Sequence, residues 1–181
     1  MSNALELRGI SKRFVVGAGG CIGSVEALRA IDLVVGEGEA IAIAGGPGAG
    51  KSTLLLVAAG LLRSEAGQIS WFGRADRAAG VERATYYYIG ASTATRNNAA
   101  SARAPHIHLV DGPESLCLAS ASRIERWIDY RCRAGDAVVI VTRSLDVARE
   151  LAERTLVLRA GRVDADECAP ASRVAEGWPH S

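Results

Sequence analysis

Gly45-Gly46-Pro47-Gly48-Ala49-Gly50-Lys51-Ser52-Thr53 decides how the rest of this chain is read. It fits the spacing G-x-x-x-x-G-K-[ST], and its surroundings fit as well. An apolar run, Ala40-Ile-Ala-Ile-Ala44, precedes it as a buried strand would, and the stretch from Lys51 to Leu62 favours helix. Glycines let a chain turn tightly enough for successive backbone N–H groups to converge on an anion. The helix start behind them adds its partial positive charge. Lys51 is placed to reach terminal phosphate groups, and Ser52 to offer a hydroxyl to Mg²⁺. Lys12 and Lys51 are the only lysines among the 21 basic residues. Keeping a compact ammonium at position 51, in a chain that otherwise uses arginine, fits the steric demand of such a loop.

A phosphate loop that holds Mg²⁺ also needs a carboxylate at the end of a neighbouring strand. His106-Ile-His-Leu-Val-Asp111 supplies one, with Asp111 at the strand's C-terminal end, where ligands bind in parallel sheets. His106 and His108 alternate along that strand and read as strand positions rather than metal ligands.

On the N-terminal side, residues 4–8 alternate apolar and polar as a half-buried strand does, and Gly17, Gly19, Gly20 and Gly23 mark a wide hairpin tip. Val25 to Val35 continues as one or two strands, and Gly36 to Glu39 is a turn. Beyond the loop helix, Gln68–Phe72 reads as an edge strand and Ala84–Ile89 as β-prone, while residues 91–104 are small and polar, a loop or a poor helix. Ser120–Ala134 has helical spacing, with Ile124, Trp127 and Ile128 on one side. Ala137–Thr142 is a buried strand, Leu145–Arg154 a helix and Thr155–Leu158 a strand. This alternation predicts an α/β domain with a mainly parallel sheet flanked by helices, plus an N-terminal antiparallel β portion. One domain over residues 1–168, followed by a loose tail from 169 to 181, is expected.

Composition excludes several classes. With 49% hydrophobic and 23% charged residues, the chain can bury a core. Its longest apolar run, Leu54 to Leu62, is far short of the ~20 residues of a membrane span. No secretory signal is visible at the N-terminus. A net charge of +1 gives no electrostatic case for nucleic acid. Cys21, Cys117, Cys132 and Cys168 are scattered without metal-ligand spacing, which fits reduced thiols in a cytoplasmic chain.

The residues resemble the nucleotide-binding domain of ATP-binding cassette (ABC) transporters, a branch of the P-loop NTPases. Leu5-Glu-Leu-Arg-Gly-Ile-Ser-Lys-Arg-Phe14 is similar to that family's first strand and the aromatic that stacks on adenine, a role the resemblance gives to Phe14. Ala27 to Glu39 resembles the family's approach to the phosphate loop, and Leu54 to Gly73 its continuation beyond that loop. Thr142-Arg-Ser-Leu-Asp-Val-Ala148 and Leu156-Val-Leu-Arg-Ala-Gly-Arg-Val163 resemble the family's C-terminal part. The resemblance implies ATP and Mg²⁺ as cofactors, with Gly45 to Thr53 and Phe14 on the nucleotide and Ser52 and Asp111 on the metal. It implies as partner a membrane permease or another ABC ATPase chain, and a cytoplasmic position peripheral to the membrane through that partner.

The departures from the family pattern are as informative. The interval from Lys51 to Asp111 has no room for the family's helical subdomain, and no S-G-G, hence no LSGGQ signature, occurs anywhere. A homodimer that depends on that signature is therefore not expected. No glutamine follows Ile89-Gly90, and Leu118 stands where a later aspartate is usual. The water-orienting glutamate position is Gly112, and the switch histidine position is Arg143. Glu114 could supply a carboxylate, and Arg143 a fixed positive charge at the terminal phosphate.

The expected activity is thus Mg-ATP binding, transport-associated, with hydrolysis impaired. Three alternatives stand beside it. One is an ATPase subunit completed by a partner chain, and another is a decayed cassette without function. The third is a nucleotide kinase, whose lid Arg96 and Arg103 would imitate.

Overall fold

The structure, a computed structural model, describes residues 2–18, 21–89, 94–97, 105–112 and 118–168. The chain opens with two long strands, β1 (Asn3–Ala18) and β2 (Cys21–Gly36), paired antiparallel. Glu39 closes the turn after them: its Oε2 accepts the Gly36 amide at 2.6 Å, and Gly38 takes φ 73. Then come β3 (Ala40–Ala44), α1 (Lys51–Ala58), β4 (Ala66–Trp71), α2 (Arg77–Arg83), β5 (Ala84–Ile89), β6 (Ala94–Asn97) and β7 (Ile107–Asp111). The chain continues through α3 (Leu118–Arg133), β8 (Ala137–Thr142), α4 (Leu145–Leu151), β9 (Arg154–Arg159) and β10 (Arg162–Cys168).

Two sheets result. An antiparallel sheet has the order β2-β1-β4, and a larger one the order β10-β9-β3-β8-β7-β5-β6. The five central strands of the larger sheet, β9 to β5, are parallel, and only its outer partners β10 and β6 run antiparallel. The expected α/β architecture with an N-terminal antiparallel portion is what forms.

Strand alternation sorts the core into two faces. Ile41, Ile43, Ile107, Leu109, Val139 and Val141 pack with Leu54, Leu55 and Val57 of α1 and with Leu5, Leu7 and Ile31 of the antiparallel sheet. Burying each large aliphatic side chain contributes about 1.5–3 kcal/mol. The alternate positions face the other way: Ala42 and Ala44 meet Ala148 of α4, while Val110, Val138 and Ile140 meet Ile128 of α3. The small alanines of β3 let α4 lie close.

Several boundaries differ from the sequence expectation. The loop helix stops at Ala58, not Leu62, because Gly60 turns left-handed (φ 69) and the Leu61 and Leu62 amides both donate back to the Leu56 carbonyl. The helix from Leu145 ends at Leu151, and Arg154 opens β9 instead. Its guanidinium holds the Val34 carbonyl at 2.8 Å and Asp166 at 2.7 Å. β4 ends at Trp71, since Phe72 takes φ 49. The α3 helix starts at Leu118, two residues early, and β6 lies inside the stretch read as loop or poor helix.

Between α1 and β7 the described residues form β4, α2, β5 and β6, so the seven-residue α2 is the sole helix among them. No described helix is long and apolar enough to cross a membrane. The C-terminal tail (169–181), Glu114, Arg103, Cys117 and the hairpin-tip Gly19 and Gly20 lie outside the described residues.

Candidate functional site

The glycine loop leaves β3 under constraint from three sides. The Gly45 amide donates to the Thr142 carbonyl of β8 at 3.2 Å. A Cβ on Gly45 would run into the Leu158 carbonyl of β9. At the far end, Gly50 takes φ 102, and a Cβ there would run into the Ala27 carbonyl of β2. Gly46 and Gly48 between them face open space, Gly48 at φ 74. The Ala49 carbonyl accepts the Gly161 amide at 3.0 Å. Gly45 and Gly50 are thus glycines because backbone approaches them, which fixes the loop's two ends against neighbouring strands.

Gly50 is the N-cap of α1 and brings no side chain to its first-turn amides, and that turn holds no acidic residue. The positive end of the helix is therefore not neutralised locally. Lys51 Nζ arches over the loop, donating to the carbonyls of Gly45 at 2.6 Å and Gly46 at 3.0 Å. Ser52 is exposed and Thr53 half-buried on the first turn. A cleft of about 340 Å³ opens on the β9 side of the loop, between Gly45–Ala49 and Val157–Ala160. Lys51 and Asp111 are not in its walls.

Asp111 shares its strand face with Ile107 and Leu109, the face that α1 covers. One strand, β8, separates β7 from β3. That puts Asp111 about 10 Å of sheet width from the start of the loop, at the same end of the parallel strands. Asp111 as a residue is 7% exposed, and its Oδ2 accepts the Tyr86 hydroxyl at 3.0 Å. Burial, then the Asp111 charge, push the Tyr86 phenol well above the ordinary tyrosine range, which keeps its donor proton in place. Gly112 comes next with φ 83, its amide on the Val141 carbonyl at 3.4 Å. Arg143, after Thr142, therefore begins in the gap between the glycine loop and the end of β7, with an exposed side chain.

Phe14 lies on β1 opposite Val25, 38% exposed, with the Lys12 ammonium 5.4 Å from its ring centroid. Two residues along β2 from Val25, Ala27 abuts Gly50. The hairpin thereby brings Phe14 to the side of the glycine loop.

Sequence reading missed three contributors. Tyr86 lay inside a Tyr86-Tyr87-Tyr88 run with no sign of which ring reaches Asp111. Ala27, and the Val157–Ala160 segment with its turn at Ala160 (φ 46), border the loop only through tertiary packing.

His106 and His108 belong elsewhere, at the opposite, N-terminal end of β7 and on the α3 face. Asp136 anchors both: Oδ1 accepts the His106 amide at 2.8 Å, and Oδ2 lies 3.0 Å from His108 Nε2. Thr85 Oγ1 meets His106 Nε2 at 2.7 Å, and Tyr87 and Trp127 pack around His108. Burial pushes His106 down to about 4. No cluster with metal-ligand potential occurs among the described residues. Cys132 and Cys168 are free thiols, and burial pushes Cys132 up to about 11.

Comparison with known proteins fits this geometry. The family model described as ABC transporter matches residues 28–127, and the chain belongs to that family. An aliphatic sulfonates import ATP-binding protein (SsuB 2) of Xanthomonas axonopodis pv. citri is 29% identical over 92% of this chain and 71% of its own length. A sulfate/thiosulfate import ATP-binding protein (CysA) of Methylococcus capsulatus is 43% identical over 39% of this chain. A lipoprotein-releasing system ATP-binding protein (LolD 1) of Caulobacter vibrioides is 44% identical over 40% of this chain. The chain spans only 18% and 30% of the lengths of these last two. Among solved structures, a dimeric ATP-binding cassette in a post-hydrolysis state bound to ADP and Pi superposes with TM-score 0.70 at 19% identity, covering 92% of this chain and 99% of that one. A second cassette, in its ADP conformation, gives TM-score 0.72 at 14% identity, covering 93% and 92%.

Proposed function

We propose that this chain binds Mg-ATP as the ATP-binding component of a transport system and turns it over slowly or not at all. The carrying observation is the loop itself. Its ends are clamped where only glycine fits, its middle is open, and its lysine arches over the carbonyls of Gly45 and Gly46. Backbone amides, an ammonium, a hydroxyl and a buried carboxylate are the donor set a magnesium-bound triphosphate needs. Gly45 to Thr53 would hold the phosphates, Ser52 and Asp111 the metal, and Phe14 the base. Bound Mg²⁺ would supply charge neutralisation across the phosphates.

Impaired hydrolysis rests on two positions beyond the cradle. Gly112 offers no side chain to orient water, and Arg143 stands where the family has a histidine. Removing one such group typically slows phosphoryl transfer or related chemistry by about two to three orders of magnitude. The relatives' names support the transport role, and a membrane permease or a second ABC ATPase chain would be the partner, holding this chain at the cytoplasmic face. A partner that restores turnover is the second reading, favoured by the SsuB 2 match spanning 92% of the chain. Isothermal titration of ATP with and without Mg²⁺, alongside a phosphate-release assay, tests the proposal. Metal-dependent binding with turnover at the level of Lys51→Ala is expected, and absence of binding overturns it.

A further inference from the structure

The buried carboxylate of Asp111 and the hydroxyl of Tyr86 form a contact that the shared architecture of the fold does not by itself require. Tyr86 is paired in register with Leu109, not Asp111; Tyr88 is the residue opposite Asp111. Alternation puts Tyr86, Leu109 and Asp111 on one face, the α1 side. Two residues along a strand span roughly 7 Å, about the reach of a tyrosine leaning along the strand direction. The ring covers that step, 8% exposed, and the hydroxyl ends 3.0 Å from Oδ2. A phenylalanine would fill the same core volume, so packing does not explain the hydroxyl. A buried carboxylate needs a donor, and this donor fixes which oxygen is engaged.

We infer that Tyr86 is a positioning residue for magnesium: its hydroxyl holds one oxygen of Asp111, so that the carboxylate presents its remaining lone pairs toward the start of α1 in a fixed orientation. The inference rests on the Mg-ATP reading of the site. Outer partners that orient metal-binding carboxylates commonly govern metal affinity without touching the metal. Tyr87, on the same strand but the opposite face, places its hydroxyl 3.2 Å from His108 Nδ1 and provides the matched control.

The test is a Mg²⁺ titration of ATP affinity for the full chain, Tyr86→Phe, Tyr87→Phe, Asp111→Asn and the Tyr86→Phe/Asp111→Asn double variant, with thermal melts of each. Tyr86→Phe is expected to keep the metal-free ATP affinity of the unsubstituted chain. Its half-saturating Mg²⁺ concentration should rise about tenfold or more. Tyr87→Phe should superimpose on the unsubstituted chain, and the double variant should show no loss beyond Asp111→Asn alone. An unchanged Mg²⁺ response in Tyr86→Phe, or equal shifts in Tyr86→Phe and Tyr87→Phe, overturns the inference while leaving nucleotide binding intact. An unsubstituted chain that binds no ATP at any Mg²⁺ concentration overturns the underlying reading as well.

Discussion

The Gly45 amide donates to the Thr142 carbonyl at 3.2 Å, so the glycine loop and the end of β8 leave the sheet tied together. On the other flank, the Leu158 carbonyl stands where a Gly45 side chain would go, with the Ala49 Cβ 3.1 Å from that point. Gly46, the next residue, has nothing within 4 Å. Gly45→Ala should therefore displace the loop from between β8 and β9, lowering stability by roughly 1–3 kcal/mol and weakening nucleotide binding sharply. Gly46→Ala should melt within about 0.5 kcal/mol of the unsubstituted chain. Urea unfolding of the two variants side by side checks this, and equal destabilisation would count against the clamp.

Trp71 ties the other end of the loop helix. Its indole Nε1 donates to the Ala58 carbonyl, the last residue of α1, at 2.6 Å, and the residue is 3% exposed. Trp71→Phe leaves that carbonyl without its donor and shrinks the packed ring. A loss of about 2–4 kcal/mol is expected. At roughly 2–4 °C per kcal/mol for a chain of this size, a melting experiment resolves it easily.

The His106 cluster gives the acid limb of stability a definite window. Folded His106 titrates near 4, against 6.5 for an unperturbed histidine, through burial first and the neighbouring His108 second; Asp136 opposes the shift, while Arg83 and Arg131 add to it. The unfolded chain therefore binds more protons between those values, and stability falls as pH drops from about 6.5 to about 4. The contribution is on the order of 3 kcal/mol at most. His106→Gln should flatten this slope in urea midpoints measured across that range. A slope unchanged by the substitution would assign acid sensitivity to other groups.

The glycine loop, the strand before it and the place of Asp111 at the C-terminal end of a strand were legible, because those depend on local pattern: an apolar run, a fixed motif and a short apolar segment closed by a carboxylate. The face that Asp111 occupies, under α1, came only with the packing. β10 was illegible for a physical reason. Arg162-Val-Asp-Ala-Asp-Glu-Cys168 has only Val163 and Ala165 as half-buried apolar positions, too few to mark a strand, and is held by its ladder to β9 and by ion pairs such as Arg149–Glu167 at 2.7 Å. The α2 helix is too short for periodicity, and its start depends on Asp76 accepting the Ala79 amide at 2.9 Å. The Tyr86–Asp111 contact was beyond reach because it depends on the register of two parallel strands from distant parts of the chain.

The most direct test of a nucleotide-holding, poorly hydrolysing cassette is one paired measurement on the unsubstituted chain and Lys51→Ala: ATP affinity in the presence of Mg²⁺, and phosphate release at saturating ATP. Removing the ammonium that arches over Gly45 and Gly46 should abolish or severely weaken binding, while phosphate release stays at the same background in both proteins. Equal ATP affinity in the two, or turnover by the unsubstituted chain alone that clearly exceeds the Lys51→Ala background, would contradict the account.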